Sequence, residues 1–194
     1  MNIRVPPLDE IFSPRGVAVV GVSAKGMSFA GSVILSMKEA GFPNIYPVNP
    51  KYDEVLGLPC YPNLQSIPGP VDHVVVNIPA ESSLGLMDDC AEKGVRSVHF
   101  FTAGFGESGF AERAALERQM LKKARAGGFR IIGPNCVGLY VPGSRLMNTL
   151  GVPLEPGPIV GKLLRAIREQ QDLGRIGSRR EALEFAARLL ESGK

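Results

Sequence analysis

The first strong hydrophobic pattern in the chain is a run of four apolar residues, Val17–Val20, which Gly21 closes. A polar turn follows, and from about Ser28 to Ala40 apolar residues recur at helical spacing. Such an order predicts a buried strand, a tight loop and a helix, the opening of a βαβ unit. Glycines allow close approach to a ligand, and N–H groups at a helix start favour phosphate. The glycines at 21, 26 and 31 lack the Gly-x-Gly-x-x-Gly spacing, so a plain structural turn is an equal alternative.

The same alternation of strand and helix patterns continues along the next hundred residues. Residues 1–13 form a lead-in that Pro14 ends, and apolar runs predict strands at 44–48, 72–78, 97–101 and 129–132. Helices are expected at 82–93 and 110–126, and at most a short edge strand at 58–61. Apolar strands that alternate with such helices are typical of a parallel sheet covered on both sides. The prediction is an α/β fold with a Rossmann-like, doubly wound parallel sheet.

Small and polar residues gather where these predicted strands end. They occur at 21–25, 48–51, 78–80, 102–107 and 133–136. Ligands of open parallel sheets bind outside the carboxyl ends of the strands. Five such ends in succession therefore predict one ligand-binding crevice.

Composition and charge narrow the class of protein. Hydrophobic residues make up 44% of the 194 and charged residues 21%, as in ordinary globular domains. Cys60, Cys90 and Cys136 show no Cys-x-x-Cys spacing, so neither a disulfide framework nor a metal site is expected. No apolar run is long enough to span a membrane and no leader is apparent, so a soluble, cytoplasmic protein is expected. The net charge of +3 belongs to the tail, where bases alternate with acids, so nucleic-acid binding is not expected.

The order of several short motifs carries a family resemblance. These motifs are Gly21-Val-Ser-Ala, Pro47-Val-Asn-Pro-Lys, Gly57-Leu-Pro-Cys-Tyr, Val71-Asp, Ile78-Pro-Ala, Thr102-Ala-Gly-Phe and Gly133-Pro-Asn-Cys. Over residues 8–157 the chain resembles the CoA-binding domain of NDP-forming acyl-CoA synthetases and of the succinyl-CoA synthetase α subunit. The resemblance implies a Rossmann-like fold that binds coenzyme A across the strand ends.

The resemblance also implies a role for each group of residues. Those expected near the nucleotide phosphates are Gly21, Ser23, Ala24 and Lys25, and those near the adenosine end are Val48, Asn49, Pro50 and Lys51. The residues expected near the middle of the ligand are Ile78, Pro79 and Ala80. Those expected near the pantetheine arm are Thr102, Ala103, Gly104 and Asn135. The alternative is a purely structural role for each group, in which it ends a strand or forms a turn that is held by its own hydrogen bonds.

Lys51 separates the candidate cofactors. Nicotinamide enzymes with this kind of sheet place Asp or Glu after the second strand, to accept hydrogen bonds from the ribose. A lysine there favours the extra ribose phosphate of CoA or, as an alternative, of NADP. The third possibility is that the fold serves as a ligand-free interaction module, in which Lys51 is only a solvated turn residue.

The two histidines limit the expected chemistry. The family's phosphohistidine lies in the domain that follows the CoA-binding one, whereas His73 and His99 fall beside or within apolar strand runs. We expect both to be strand residues rather than nucleophiles, and complete acid–CoA ligase activity is not expected of this chain alone. The expected ligand is CoA or an acyl-CoA, and the expected protein partner is either a catalytic ligase subunit or, through the C-terminal helices, a second copy of the chain.

The tail departs from the family after Pro156-Gly-Pro. Helical spacing at 159–167, a break at Gly174 and the capping box Ser178-Arg-Arg-Glu181 predict two amphipathic helices. The predicted organisation is a CoA-binding domain at 1–157 and a helical extension at 158–194. Segments of this tail also resemble the closing helices of bacterial tRNA nucleotidyltransferases, but the paired aspartates of such a site are absent and no tRNA chemistry is inferred.

Overall fold

The computed structural model describes residues 5–24, 28–149, 166–178, 181, 182, 184–186 and 188. The chain divides into two compact units, Met1–Val152 and Pro153–Lys194. The predicted boundary at 157/158 and the apolar positions 159–165 of the first tail helix lie outside the described residues.

A five-stranded parallel sheet forms the centre of the first unit. Its strands are β1 (Val17–Val20), β2 (Ile45–Val48), β5 (His73–Val76), β6 (Ser97–Phe100) and β7 (Arg130–Ile132), in the order β2-β1-β5-β6-β7. Every pair is parallel, with Val17 opposite Ile45 on one side and His73 on the other. The predicted Rossmann-like sheet is confirmed, and the strand order reverses at β1, where such sheets bind ligands.

Helices cover both faces of this sheet. The helices are α1 (Leu8–Phe12), α2 (Phe29–Glu39), α3 (Ser83–Lys93) and α4 (Ala111–Gly127). The last three lie within a few residues of the predicted bounds, and α1 falls within the predicted lead-in. Alternate β1 residues face opposite ways, so Val17 and Val19 pack with α2 while Ala18 and Val20 lie in the core that includes α3 and α4. All four β1 side chains are buried, which explains why the strand reads as an unbroken apolar run.

Local signals set several helix ends. Ser28 caps α2, its Oγ accepting a hydrogen bond from the Gly31 N–H at 3.1 Å. The α3 helix is preceded by a 3-10 turn at Ala80–Ser82 and ends at Gly94, whose φ of +75° is left-handed. A second 3-10 turn, Gly106–Ser108, precedes α4. Serine before a helix and glycine after it are the residues expected at these positions.

Two short antiparallel hairpins complete the first unit. One pairs β3 (Glu54–Val55) with β4 (Leu58–Pro59), and the other pairs β8 (Tyr140–Val141) with β9 (Leu146–Met147). The first contains part of the predicted edge strand, and Tyr61 adds an isolated parallel bridge to Val48. The second hairpin was not predicted. It contributes Leu146, fully buried, to the core on the α2 side of the sheet.

The second unit is helical where it is described. Residues 166–172 form one helical stretch, which stops near Gly174 at φ +68°. The predicted capping box is present: Glu181 N–H donates to Ser178 Oγ at 3.3 Å, and Ser178 N–H donates to Glu181 Oε2 at 2.9 Å. These reciprocal bonds satisfy backbone groups that the start of a helix leaves unpaired.

Among the described residues no helix is both long and apolar enough to cross a bilayer.

Candidate functional site

Gly21 marks the point where β1 leaves the sheet beside the end of β5. Its φ is +89°, and a Cβ there would lie 2.2 Å from the Asn77 carbonyl oxygen. Asn77 in turn donates its N–H to Val20 O at 2.9 Å, which extends the β1–β5 pairing by one residue. Glycine is therefore required for the two strand ends to lie side by side, and the first predicted site residue sits at the reversal of strand order.

A strand-end cavity of about 450 Å³ opens at this point. It collects six of the predicted site residues: Gly21, Val48, Asn49, Pro50, Lys51 and Ile78. The loop after β4 and the start of α3 supply the rest, including Pro62, Asn63, Leu64, Ser82, Gly85, Leu86 and Asp89. The cavity therefore brings together the ends of β1, β2 and β5.

Asn49 organises the rim of the strand-end cavity. Its Nδ2 donates to Val22 O at 2.6 Å and its Oδ1 accepts the Lys51 N–H at 2.9 Å. Both ends of the amide are thus used inside the protein. Asn49 joins the loops after β1 and β2 and fixes the turn from which Lys51 projects.

Lys51 and Asp89 give the strand-end cavity its charges. Lys51 is exposed, and within residues 5–24 and 28–149 no hydrogen bond or ion pair to its ammonium group is found. Asp89 lines the same cavity, and burial, with the nearby charges of Glu92 and Asp88, raises the pKa of its carboxyl. The cavity thus combines one cation that is available to an anion with one carboxylate that can accept hydrogen bonds.

A second opening, the helix-side cavity, lies between the start of α2 and the β3–β4 hairpin. It measures about 410 Å³, and its lining includes Ser23, Ala24, Ser28, Ser32 and Glu54. The Ser23 hydroxyl lies 3.5 Å from the Tyr52 hydroxyl, beside this lining. Lys25, which was predicted at the same loop, lies outside the described residues.

A third opening, the turn cavity, lies where β5, β6 and β7 end. It measures about 230 Å³ and is lined by Phe29, Asn77, Phe101, Asn135, Cys136 and Val137. Asn135 adopts φ +52° and its N–H donates to Thr102 O at 3.1 Å. The predicted site residue Asn135 is therefore exposed on a turn that is tied to the end of β6.

In the loop after β6, the Glu107 carboxylate accepts hydrogen bonds from backbone N–H groups of the same loop. Gly104 N–H donates to Glu107 Oε1 at 2.8 Å, and Phe105 N–H donates to Glu107 Oε2 at 3.1 Å. The Thr102 hydroxyl donates to Ile78 O at 2.7 Å. The Thr102 hydroxyl and the Gly104 N–H are thus engaged within the protein, which leaves the exposed Ala103 as a contact that this loop can offer to a ligand.

Two more predicted residues lie beside the crevice without lining any of the three cavities. Pro79 is exposed at the end of β5, whereas Ala80 is 4% exposed and packs into the core on the α3 side. The lining residues that were not predicted come from the loop after β4, such as Asn63, and from helix starts, Phe29 on α2 and Ser82 before α3. The helix starts had a usable signal, since a helix that follows a strand begins at the carboxyl edge of the sheet.

Neither histidine, and of the three cysteines only Cys136, lines one of these cavities. All three cysteines are free, and burial raises the pKa of both the Cys60 and the Cys90 thiols. Burial lowers the pKa of His73 to about 3 and that of His99 to about 4. Both imidazoles are 0% exposed within β5 and β6, so the expectation that they are strand residues is confirmed. No cluster that could hold a metal ion is found within the described part of the chain.

Comparison with known proteins identifies relatives over the first unit. The "Acetate--CoA ligase [ADP-forming] II subunit alpha" of Pyrococcus furiosus is 40% identical over 132 residues, which is 68% of this chain and 29% of the relative. The "Acetate--CoA ligase [ADP-forming] II" of Archaeoglobus fulgidus is 38% identical over 139 residues, 71% of this chain and 20% of the relative. The chain thus spans less than a third of the length of these relatives. They give no support to the likeness of the tail to tRNA nucleotidyltransferases.

A solved structure and a family profile agree with these relatives. The dinucleotide forming acetyl-coenzyme A synthetase 1 of Ca. Korarchaeum cryptofilum, in complex with phosphate and ADP, matches with a TM-score of 0.70 at 35% identity. The match covers 75% of this chain and 31% of that one. The profile described as "CoA binding domain" matches residues 15–142. That range contains the whole parallel sheet and all three cavities, and on this basis the chain belongs to the CoA-binding domain family.

Proposed function

We propose that the chain binds coenzyme A along the carboxyl edge of its sheet, with the ribose phosphate at Lys51. The observation that carries this is the Lys51 ammonium, which projects beside Gly21 and Ile78 at the reversal of strand order with no described anionic partner. A phosphate at that position would supply the missing partner, and charge-assisted bonds to phosphate are among the stronger polar contacts.

The adenosine is assigned to the strand-end cavity. Val48, Leu64 and Leu86 supply apolar surface there for the base, and Asp89 can accept a hydrogen bond from an exocyclic amine. The phosphates would pass Gly21, where the main chain has no side chain, towards Ser23 and the start of α2. The pantetheine arm would then run over Ile78 to Asn135 in the turn cavity.

The proposal is tested by calorimetry with CoA, 3′-dephospho-CoA and NADPH. We expect CoA to bind best, and we expect loss of the ribose phosphate to weaken binding roughly three- to tenfold, as for one partly exposed phosphate–lysine contact. In Lys51→Ala, CoA should weaken by the same factor and the difference between CoA and 3′-dephospho-CoA should vanish.

Lys122→Ala is the matched control for the Lys51 variant. It removes the same charge from an exposed position on α4 that lines none of the three cavities, so CoA affinity should be unchanged. Tighter binding of NADPH than of CoA would contradict the proposal and favour an NADP-binding protein. If calorimetry detected no binding of any of the three ligands, the result would favour the ligand-free interaction module.

We further propose that acid–CoA ligase chemistry requires groups outside the described first unit. The chain has two histidines, and both are 0% exposed inside the sheet, so neither imidazole can reach a phosphoryl donor. We expect the chain to bind CoA but to form no acetyl-CoA from acetate, ATP and CoA. Turnover by the chain alone would refute this part of the proposal, and a complementing ligase subunit is the partner that its relatives suggest.

A further inference from the structure

A chain of buried polar side chains crosses the middle of the sheet on its α2 side. It consists of Ser97, His73, Asn148 and His99, each 0% exposed, and it joins β5, β6 and the residue after β9. The Asn148 Nδ2 atom lies 2.9 Å from His73 Nε2 and 3.2 Å from His99 Nδ1. The amide of one asparagine thus bridges two imidazoles on neighbouring strands.

The contacts around Asn148 fix its orientation and both tautomers. Its Oδ1 accepts the Leu139 N–H at 2.7 Å, so the NH₂ group must face the histidines. An NH₂ group only donates, so His73 Nε2 and His99 Nδ1 must both be acceptors. The protons therefore lie on the other ring nitrogens: His73 Nδ1–H donates to Ser97 Oγ at 2.7 Å, and His99 Nε2–H donates to Cys136 O at 3.0 Å.

The last bond of the chain reaches the turn at 133–136. Cys136 O accepts from His99, the Cys136 N–H donates to Phe100 O at 3.1 Å, and the Asn135 N–H donates to Thr102 O at 3.1 Å. The two backbone bonds attach the turn to the end of β6. The hydrogen bond from His99 adds a third attachment at the Cys136 carbonyl group, one residue after the exposed Asn135.

We propose that His99, locked by Asn148 and His73, is a positioning residue that sets where Asn135 meets the pantetheine end of coenzyme A. This inference rests on the proposed function, since it assigns the turn cavity to the pantetheine arm. His99 touches no ligand itself. A partly buried carbonyl that loses the one side-chain donor described for it shifts or takes up water, and either change would displace Asn135 from the ligand.

Two ligands and two substitutions test the inference. Adenosine 3′,5′-bisphosphate carries the phosphorylated adenosine but no pantetheine, so its affinity reports on the strand-end cavity alone. In His99→Met, which lacks the donor to Cys136 O, we expect CoA to bind roughly tenfold more weakly while adenosine 3′,5′-bisphosphate changes less than about twofold. His99→Gln can place a donor near the Nε2 position and should restore most of the CoA affinity.

The outcomes separate a positioning role from a general loss of stability. Equal weakening of both ligands, no weakening of either, or no recovery in His99→Gln would each overturn the inference. Amide hydrogen exchange provides a readout without ligand: the N–H groups of Asn135 and Cys136 should exchange faster in His99→Met than in the unaltered chain. If the unaltered chain binds neither ligand, the proposed function fails, and unchanged exchange at the turn would then also refute the positioning role.

Discussion

Gly21 is a residue of the candidate site at which the fold tolerates no side chain. A Cβ at this position would lie 2.2 Å from the Asn77 carbonyl oxygen, and the φ of +89° disfavours any other residue. The same absence of a side chain exposes the main chain at the mouth of the strand-end cavity. One steric requirement therefore serves both the packing of β1 against β5 and the approach of a ligand.

The substitution Gly21→Ala should destabilise the chain by about 3 kcal/mol, because it combines left-handed strain with a clash against backbone. Gly94→Ala is the matched control, since Gly94 has φ +75° and nothing within 4 Å of a built Cβ. It should cost about 1 kcal/mol, the strain alone. Urea unfolding of both variants measures the difference, and equal losses would show that the Asn77 carbonyl can move aside.

Single residues also show what could be learned from the sequence. Lys51 lines the same cavity as Gly21, a placement that follows from its position after β2 in a parallel sheet. The amides of Asn49 and Asn148 could not be placed, since their hydrogen bonds to Val22 O and to two histidines depend on distances between segments far apart in sequence. The Glu107 bonds to Gly104 and Phe105 were missed although they are local, because an acid after a glycine turn is too common a pattern to be diagnostic.

At the scale of elements, the amino end of β5 is anchored by a buried carboxylate. Asp72 is 2% exposed; its Oδ2 accepts from Arg15 Nε at 2.7 Å and its Oδ1 from Arg15 Nη2 at 2.8 Å. Burial alone would raise the pKa of Asp72, but the Arg15 hydrogen bonds and the charge of Arg96 outweigh it and lower the pKa. These contacts lie at the end of the sheet opposite the cavities, so they stabilise the fold without touching the ligand.

We expect Asp72→Asn to lower the free energy of unfolding by about 2 kcal/mol, because the charged hydrogen bonds from Arg15 and Arg96 are weakened. The loss is smaller than for a fully buried pair, since the Arg15 side chain is 63% exposed. CoA affinity measured by calorimetry should stay the same. A change in affinity without a change in stability would mean that the two ends of the sheet are coupled.

The buried histidines on β5 and β6 predict that the free energy of unfolding depends on pH. His73 and His99 have folded pKa values of about 3 and about 4, below the ordinary value of 6.5, because burial opposes their charged forms. The unfolded state therefore binds more protons as the pH falls below 6.5. Stability is complete above that value and is lost progressively towards pH 4, by up to about 1.4 kcal/mol per pH unit for each histidine.

Urea unfolding between pH 7.5 and 4.5 measures this loss. His73→Gln removes one of the two titrating groups, so its stability should fall about half as steeply with acid as that of the unaltered chain. Asp72 is not expected to contribute in this window, because its pKa is lowered and its stabilisation is lost only in stronger acid. Equal slopes for the two proteins would mean that His73 is already charged in the folded state.

The elements differed in how far the sequence could predict them. The strands of the parallel sheet were predicted within a few residues of their bounds because burial on both faces leaves an unbroken apolar run. The helices after them were predicted from apolar residues at helical spacing. The β8–β9 hairpin was missed because two-residue strands such as Tyr140–Val141 are too short to show any periodicity. The capping box at Ser178 was found because its signal is local, four residues at a fixed spacing.

At the scale of the whole molecule, the strand-end cavity and the turn cavity lie along the carboxyl edge of one sheet. The strand-end cavity lies at β1, β2 and β5, the turn cavity at β5, β6 and β7, and Gly21 and Asn77 lie between them. A ligand that occupied the whole edge would contact the ends of five strands and the starts of α2 and α3. It would add contacts between segments that the sheet and loop bonds such as Asn49–Val22 already join, so binding is expected to stabilise the first unit as a whole.

This linkage gives a thermal prediction. CoA at one hundred times its dissociation constant should add about 2.7 kcal/mol of stability, which for a chain of this size corresponds to a rise in Tm of about 5–10 °C. 3′-Dephospho-CoA at the same concentration should give a rise smaller by roughly 2–4 °C, the equivalent of about 1 kcal/mol for the lost phosphate contact. The chain has no tryptophan, so calorimetry or circular dichroism follows the transition.

The Lys51→Ala variant decides whether the difference between the two ligands arises at the proposed place. Its Tm without ligand should match that of the unaltered chain, because an exposed side chain with no described partner contributes little to folding. With ligand, CoA and 3′-dephospho-CoA should raise its Tm equally, since the ammonium group that distinguished them is gone. If CoA still gave the larger rise, the ribose phosphate would be bound by another cation, and the ligand would have to run along the sheet edge in a different direction.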